Sequence, residues 1–393
     1  MPSSSPIVVN PERLAQTFME LVRIDSISKE EHALAQVLNA RLRQCGAQVS
    51  VDDAGTQVGG STGNLIARFR GTRSAEPLLI SAHMDTVEPG RGVQPQLVGG
   101  IFTSAGNTIL GADDKSALAI ILEVLTFINE QRWPCGPLEI VFTIGEEIGL
   151  LGAKNLDYGA ISARRGYVLD TRNPAAVVTR APAANHLDFS IFGRAAHAGS
   201  SPEKGINAIS LACKAIARLY LGRIDYETTC NIGMIEGGLA TNIVPGRVTV
   251  RGEVRSHNRQ KLQKATDEMV AAFEQVITEY GNDRLAGRPR LQMDVHSEYD
   301  LLNIGDDHPL VRKAILAAAN LGARMDRATS GGGSDANVFA AHGIDAVVLG
   351  TGMENVHTVD ESIRLEDMLH ATQLLLEIIR LHALESHTMN RTT

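Results

Sequence analysis

The pattern of hydrophobic residues along the chain alternates between short continuous runs and longer segments with helical spacing. Continuous runs predict strands buried on both faces of a parallel sheet, and spacings of three and four residues predict amphipathic helices. The run at residues 78–82 (LLISA) is followed at once by His83 and Asp85. Further strands of this kind are predicted at 63–69, 138–144 and 166–170, and the main helices at 11–24, 112–132, 309–321 and 365–384. Strands that alternate with helices favour an α/β fold.

The order of the predicted elements changes in the middle of the chain. Residues 183–297 predict the order β-α-β-β-α-β, which is the ferredoxin-like split unit. The strands predicted there lie at 186–192, 228–235, 247–255 and 290–295, and the helices at 205–221 and 259–280. The alternating pattern resumes after residue 308. We therefore predict an α/β domain with a mixed, mostly parallel sheet and flanking helices at 1–182 and 298–393, and an inserted ferredoxin-like α+β domain at 183–297.

The composition is that of a globular enzyme and gives no indication of a nucleic-acid or membrane partner. Hydrophobic residues make up 44% of the 393 positions, and the formal net charge of -8 offers no basic surface to nucleic acid or membranes. No apolar run reaches the ~20 residues of a membrane span, and the first residues lack the features of a signal peptide. The four cysteines are far apart, which favours free thiols in a reducing compartment. We expect a cytoplasmic protein.

The end of the run at 78–82 carries the first candidate chemistry. His83 and Asp85 lie two residues apart, so on an extended backbone their side chains point to the same side. A carboxylate beside an imidazole can accept its ring N–H and direct the other nitrogen toward a metal. Taken alone, the pair is better explained as a polar cap of a loop.

Two pairs of adjacent acids follow. Asp113 and Asp114 open the predicted helix at 112–132, where the helix dipole alone would favour them. Glu146 and Glu147 come directly after a buried strand. Adjacent carboxylates repel each other, which favours a bound cation, with the second glutamate free to act as a general base. A solvated loop explains this pair equally well.

Asp170 ends another apolar strand, and His357 follows the apolar segment at 346–349 and its loop. Each is weak evidence by itself, because a single histidine there is more often a structural hydrogen-bonding group. As a set, however, two histidines and three carboxylates at one edge of a sheet suit a pair of zinc-like ions that activate one water. This set comprises His83, Asp113, Glu147, Asp170 and His357.

Five segments carry a resemblance to a known family. They are SAHMDT (81–86), GADDK (111–115), GEEIG (145–149), GRAAHAG (193–199) and GGGSD (331–335). In this order they resemble the dinuclear-zinc peptidase superfamily, which contains carboxypeptidase G2, succinyl-diaminopimelate desuccinylase, the aminoacylases and peptidase T. The resemblance covers nearly the whole chain and favours the peptidase T branch, the tripeptide aminopeptidases.

The resemblance implies a role for each candidate. Asp85 would orient His83, and Glu146 would be the general base. Two Zn²⁺ ions per subunit are implied, with Co²⁺ or Mn²⁺ as alternatives. Aspartate rather than glutamate at position 170 goes with aminopeptidases in this superfamily. The implied ligands are His83 and Asp170 on one ion, Glu147 and His357 on the other, and Asp113 between them.

The inserted domain adds three implied site residues and a partner. His197 matches a histidine that reaches a neighbouring subunit's site and stabilises the oxyanion. Asn242 resembles a substrate-contacting residue, and Arg255 resembles the arginine that binds a substrate carboxylate. The resemblance therefore implies a homodimer formed through this lid or dimerisation domain.

The implied function is hydrolysis of an amide bond in a small peptide, as in a tripeptide aminopeptidase. An N-acyl-amino-acid amidohydrolase or a carboxypeptidase G2-like enzyme would use the same chemistry. Two further alternatives are a serine hydrolase that uses Ser334 and a binding module without catalysis. The residues around Ser334 nearly match the nucleophile-elbow motif. The complete ligand set argues against the binding module.

Overall fold

The computed structural model describes residues 7–281 and 286–389. The chain divides into two compact units, and the second interrupts the first. The first unit comprises Met1–Thr179, Asn303–Ser330 and Ser334–Thr393, and the second comprises Arg180–Leu302 and Gly331–Gly333.

The described residues form ten α-helices, and the first shows how the sequence begins one. Helix α1 follows the N-cap Asn10, whose side chain accepts the N–H of Arg13, and it carries proline in its first turn. In chain order the helices are α1 (Pro11–Val22), α2 (His32–Gln44), α3 (Ala54–Val58), α4 (Ala112–Gln131), α5 (Leu151–Lys154), α6 (Ala208–Ile216), α7 (Arg259–Tyr280), α8 (Pro309–Asn320), α9 (Asp335–Ala341) and α10 (Leu365–Met389).

The strands include the predicted ones and several short additions that the hydrophobic pattern does not reveal. In chain order they are β1 (Gln48–Val51), β2 (Leu65–Phe69), β3 (Leu78–His83), β4 (Pro95–Val98), β5 (Ile101–Ser104), β6 (Leu138–Thr143), β7 (Arg165–Thr171), β8 (Ala176–Ala181), β9 (Ala183–Phe192), β10 (Gly222–Arg223), β11 (Thr228–Gly237), β12 (Arg247–Ser256), β13 (Arg290–Tyr299), β14 (Leu302–Asn303), β15 (Asp326–Thr329), β16 (Asp345–Gly350), β17 (Met353–Glu354) and β18 (Ser362–Arg364).

The largest sheet has a parallel centre. Among the described residues its strand order is β1-β2-β6-β3-β7-β16-β8-β14, with β15 paired to β8. Strand β3 is parallel to both β6 and β7, and β16 is parallel to β7. Every residue of β3 and β6 is buried, as expected for strands covered on both faces. The predicted α/β fold class is confirmed, and the carboxyl ends of the parallel strands meet at one edge.

The second unit contains a five-stranded antiparallel sheet in the order β10-β11-β12-β9-β13. Without the short β10, and starting from β13, the sheet contains the fourth, first, third and second strands of this unit (β13, β9, β12, β11). This order is the ferredoxin-like arrangement. Helices α6 and α7 pack on one face of this sheet, where Phe189 of β9 stacks on Phe273 of α7 with ring centroids 3.9 Å apart. The ferredoxin-like part of the fold prediction is confirmed.

The helices predicted at 205–221 and 112–132 differ from the prediction in ways that change the local backbone. The helix predicted at 205–221 is shorter, because after Ile216 the N–H groups of Arg218 and Leu219 bond to carbonyls only three residues back and the chain turns toward β10. In α4, Asp113 and Asp114 have non-helical backbone angles (φ -83°, ψ 102° and φ -122°, ψ 26°), so regular helix begins only after them. Among the described residues, no helix is both long and apolar enough to cross a membrane.

Candidate metal centre

The first residue of the centre is His83, the last residue of β3. Its Nε2 lies 3.0 Å from Asp113 Oδ1, and its Nδ1 lies 3.0 Å from the backbone carbonyl oxygen of Asp85 and 3.4 Å from Asp85 Oδ1. The sequence predicted that the Asp85 carboxylate would hold this ring, whereas the Asp85 carbonyl oxygen makes the closer contact. With Nδ1–H directed at Asp85, the Nε2 lone pair faces Asp113.

The Asp85 carboxylate is completely buried and connects two loops. Its Oδ1 accepts the backbone N–H of Glu146 at 2.9 Å, and its Oδ2 accepts the N–H of Glu147 at 3.2 Å. The Ser28 hydroxyl donates to the same Oδ2 at 2.6 Å. Asp85 therefore fixes the position of the adjacent glutamates relative to His83.

Asp113 occupies the middle of the cluster. Its two carboxylate oxygens face different histidines: Oδ1 lies 3.0 Å from His83 Nε2, and Oδ2 lies 3.3 Å from His357 Nε2. The alternative explanation, an acid that caps the helix N-terminus, fits poorly because its backbone is non-helical and its oxygens face imidazoles. This is the geometry expected of a carboxylate shared by two cations.

The remaining residues complete two groups around Asp113. Asp170 near the end of β7 has Oδ1 4.0 Å from His83 Nε2. On the other side, Glu147 Oε1 lies 2.8 Å from His357 Nε2. In each group of three, the ligand atoms lie within 4.8 Å of one another. The structure thus brings together all five residues of the predicted set, which we call the five-residue centre.

His357 reaches the centre from a loop with unusual backbone geometry. Both Asn355 and His357 have positive φ angles, 53° and 63°, in the left-handed region that is sparsely populated by residues other than glycine. The imidazole is about half exposed, with 46% of the side chain accessible, whereas Glu147 is 7% exposed. The open side of the centre is therefore at His357.

The histidines of the centre carry raised pKa values. Hydrogen bonds with Asp113 and Glu147 raise the pKa of His357 to about 10. Burial lowers the pKa of His83, but its hydrogen bonds with Asp113 and Asp85 outweigh burial and raise the pKa well above the usual value. An imidazole lone pair repels a carboxylate oxygen, so in each of these contacts either a ring N–H or a metal cation lies between the nitrogen and the oxygen.

Glu146 projects from the same loop as Glu147 but is used differently. Within the described part of the chain, its carboxylate makes no hydrogen bond, although Asp170 and His83 are close enough to interact electrostatically with it. Burial and the neighbouring Asp170 carboxylate raise the pKa of Glu146 well above the usual value. A carboxylate with these properties can accept and return a proton.

Glu361 is a residue of the site that the sequence analysis missed. Its buried carboxylate accepts three backbone N–H groups: Leu110 and Gly111 at 2.7 Å each and Asp113 at 3.0 Å. It therefore links the loop after His357 to the loop that carries Asp113. Backbone N–H groups leave no trace in the sequence, so no motif could have identified this role.

Asp335, the last residue of the GGGSD segment, is a second missed neighbour. Its Oδ2 accepts the Thr143 hydroxyl at 2.5 Å, at the end of β6. Burial raises the pKa of Asp335 to about 6, although the hydrogen bond from Thr143 opposes this. The GGGSD segment contributed to the family resemblance, but it did not show that Asp335 lies beside the end of β6. Ser334, the candidate nucleophile of the alternative hydrolase, is the N-cap of α9.

The other predicted site residues lie in the second unit. His197 and Asn242 belong to neighbouring loops. The N–H of Ala198 donates to the backbone carbonyl of Asn242 at 2.9 Å, and the backbones of His197 and Ile243 pair as an isolated antiparallel β-bridge. His197 Nδ1 accepts the N–H groups of Gly199 at 3.1 Å and Ser200 at 3.2 Å. A neutral His197 ring therefore carries its proton on Nε2, which makes this exposed nitrogen a donor.

Arg255, near the end of β12, is partly exposed. Its Nη2 donates to Glu253 Oε2 at 2.9 Å, while its buried Nε makes no hydrogen bond among the described residues. Nearby in the same unit, Tyr299 accepts the N–H of Gly333 at 3.2 Å, and a Cβ on Gly333 would clash with the Tyr299 ring. Glycine at 333 is thus required by this close approach.

Comparison with known proteins identifies several relatives. The model of peptidase family M20/M25/M40 matches residues 79–381. Over 373 residues the chain is 40% identical to the protein YqjE of Bacillus subtilis (strain 168), an alignment that covers 95% of this chain and 99% of that protein. The family match therefore includes all five residues of the centre.

Two solved structures are similar over the same length. One is described as an aminopeptidase PepT from Bacillus cereus ATCC 10987, with 40% identity and a TM-score of 0.85. The other is described as a tripeptidase from Staphylococcus aureus subsp. aureus Mu50, with 37% identity and a TM-score of 0.88. Each comparison covers 95% of this chain and 99% of the other chain.

Proposed function

Because the chain belongs to peptidase family M20/M25/M40, we propose that it is a dinuclear metallopeptidase that removes the N-terminal residue from tripeptides. The single observation that carries the metal part of the proposal is the placement of the Asp113 oxygens toward two histidines. The peptide specificity is supported by the relatives described as an aminopeptidase and a tripeptidase, both similar over nearly their whole length.

The donor set fits two cations of the zinc type. It offers imidazole nitrogen and carboxylate oxygen without thiolate, which suits Zn²⁺, with Co²⁺ or Mn²⁺ as alternatives. His83 and Asp170 would hold one ion and Glu147 and His357 the other, with Asp113 shared between them. The raised pKa values of Glu147 and Asp170 support cation binding. They indicate that the negative charges of these buried carboxylates destabilise one another, and bound cations would neutralise them.

The chain's own residues supply the proton transfers. When bound, the cations would polarise the scissile carbonyl and acidify the attacking water. Glu146 accepts the proton from that water and donates it to the amine that leaves. Its raised pKa favours the protonated form that the second step needs, and Asp85 holds its backbone in place.

His197 stabilises the negative charge that develops on the carbonyl oxygen. Because Nδ1 accepts two backbone N–H groups, the Nε2–H of this ring is directed away as a donor. A preorganised donor of this kind accelerates amide hydrolysis. We assign His197 to the site of a neighbouring subunit in a homodimer, which rests on the family resemblance.

Arg255 and Asn242 select the substrate. The Arg255 guanidinium can bind the C-terminal carboxylate of a tripeptide through two N–H donors, and Glu253 holds it in position. Asn242 contacts the peptide backbone. The aspartate at position 170 supports removal of the N-terminal rather than the C-terminal residue, and the four free cysteines suit action in the cytoplasm.

A substrate panel tests this assignment. Protein depleted of metal by a chelator is reloaded with Zn²⁺ and offered Gly-Gly-Gly, its N-acetylated form, its C-terminal amide and an N-acetyl amino acid. We expect metal-dependent release of the first glycine from the free tripeptide, weaker activity on the amide and no reaction with either acetylated compound. Faster cleavage of an acetylated compound, or release of the last residue, would replace this function with that of an amidohydrolase or carboxypeptidase.

A further inference from the structure

The outer face of the sheet in the second unit carries two facing histidines. His186 on β9 and His296 on β13 are directly opposite each other in the antiparallel ladder. Their rings lie edge to face, with centroids 5.6 Å apart and an interplanar angle of 78°. Side chains opposite each other on one face of a sheet are neighbours by necessity, so the strand register itself places the two imidazoles together.

A carboxylate lies beside both rings. Glu298 Oε2 is 3.2 Å from His186 Nδ1 and 3.8 Å from His296 Nε2. Glu298 lies where the register of β13 shifts, between Ser297 and Tyr299, and such bulges redirect side chains. One ligand atom from each of the three residues lies within 4.8 Å of the other two. We call His186, His296 and Glu298 the sheet-face cluster.

The second nitrogen of each ring also faces a carboxylate. His186 Nε2 lies 3.8 Å from Glu253 Oε2, and His296 Nδ1 lies 3.8 Å from Asp294 Oδ2. Histidines that bind metals usually direct their other ring nitrogen to a carboxylate, which selects the tautomer and increases the basicity of the binding nitrogen. At 3.8 Å each carboxylate is beyond hydrogen-bond distance, but it lies on the side of the ring that this role requires and adds negative charge that favours a cation.

We propose that the sheet-face cluster binds a divalent cation of the zinc type. Two imidazole nitrogens and one carboxylate oxygen form a set of three protein ligands, with further positions left to water. The histidines are 42% and 46% exposed, so a cation can enter from solution, while Glu298 is 12% exposed. The cluster shares no residue with the five-residue centre and lies in the other unit.

The bound cation would join an edge strand to its neighbour. Strand β13 is at the edge of the sheet, and much of it is exposed. A cation held by His186 on β9 and by two residues of β13 would cross-link the two strands and stabilise the unit. The stabilisation follows mass action, because the folded unit binds the cation and the unfolded chain does not bind it in the same way.

The number of bound ions tests the proposal. Full-length wild-type protein and a His296→Ala variant are dialysed against buffer with micromolar free Zn²⁺, and metal per chain is measured by mass spectrometry. We expect the variant to bind one equivalent less than wild type, whatever the total, and to lose the part of the zinc-dependent increase in Tm that the site provides. The matched control replaces His32, an exposed histidine whose ring nitrogen is hydrogen-bonded to Gln36, by Ala and should leave the count unchanged.

A second variant separates this site from the proposed catalytic ions. Asp113→Ala removes the shared carboxylate of the five-residue centre, and we expect one equivalent of Zn²⁺ to remain bound. That equivalent should disappear in the double variant Asp113→Ala/His296→Ala. Equal metal counts in wild type and His296→Ala, or in the Asp113→Ala single and double variants, would overturn the proposal and leave the cluster as a set of ion pairs.

Discussion

The five-residue centre and the sheet-face cluster use the same kinds of ligand atom, but the chain positions them by different means. In the sheet-face cluster, the ladder between β9 and β13 sets the distance between the histidines. In the five-residue centre, Asp113, Glu147 and His357 lie on backbone without regular helix or strand geometry, and buried carboxylates connect these segments through backbone N–H groups. Loops thus need buried acids to hold their backbone in place, whereas the backbone of paired strands is already held by the ladder between them.

The largest expected effect comes from removing the residue that the two halves of the five-residue centre share. Asp113→Ala should reduce peptidase activity to background, because both proposed ions lose a ligand. By contrast, Glu298→Gln in the sheet-face cluster should lower the metal count by one without this loss of activity. Metal analysis and a tripeptide assay on both variants measure the difference. Full activity of Asp113→Ala would remove the shared role from this residue.

The next effect separates chemistry from metal binding. Glu146→Gln should reduce kcat by about 10²- to 10⁴-fold while the protein keeps its full metal content, since an amide cannot accept the proton. Because the carboxylate makes no hydrogen bond with described residues, the folded structure should be unaffected. Steady-state kinetics and metal analysis measure both quantities. Retained turnover would exclude Glu146 as the base.

The support that buried acids give to loops can be tested with a matched pair of buried glutamates. Glu139 resembles Glu361: its carboxylate accepts the N–H groups of Ser162 and Ala163 and the Ser162 hydroxyl, but it lies beside no metal ligand. In both Glu→Gln variants an N–H group loses its acceptor, which should cost about 1–3 kcal/mol of unfolding free energy.

Only Glu361→Gln should also weaken metal binding, by about 10- to 100-fold, because Asp113 loses its support. Zinc titration and denaturant unfolding of the two variants measure affinity and stability separately. If the two variants bound zinc equally well, Glu361 would be a structural residue like Glu139.

The smallest expected effect concerns the substrate. Arg255→Lys keeps the charge but loses the planar pair of donors, so KM for a free tripeptide should rise about tenfold, a cost near 1.4 kcal/mol, with little change in kcat. A tripeptide amide serves as the control, because it lacks the carboxylate and its KM should hardly change. An equal rise in KM for the amide would argue against binding of the carboxylate by Arg255.

The sequence predicted the parts of this protein that depend on periodicity and on side-chain chemistry. The apolar run of β3, the resumption of the α/β pattern near residue 308 and the ferredoxin-like order of elements are all present in the structure. The five ligand candidates could be identified because metal binding requires particular residue types after strand ends. They could be grouped because the family motifs appear in order.

Other features depended on tertiary contacts that residue types do not specify. The acids at 113 and 114 looked like the first turn of a helix, whereas their backbone is non-helical. The Asp85 carboxylate was expected to act on His83 and lies 3.4 Å from its Nδ1, but its hydrogen bonds from backbone N–H groups of the glutamate loop could not be predicted. Glu361 is separated from Asp113 by more than half of the chain, and its partners are backbone groups.

The proposed function depends most on the sharing of Asp113 by two cations. A crystal structure of the zinc-loaded protein, with anomalous data collected at the zinc absorption edge, tests it directly. We predict two strong peaks about 3.5–4 Å apart with Asp113 between them, one beside His83 and Asp170 and the other beside Glu147 and His357. A single peak, or two peaks of which only one contacts Asp113, would contradict the account.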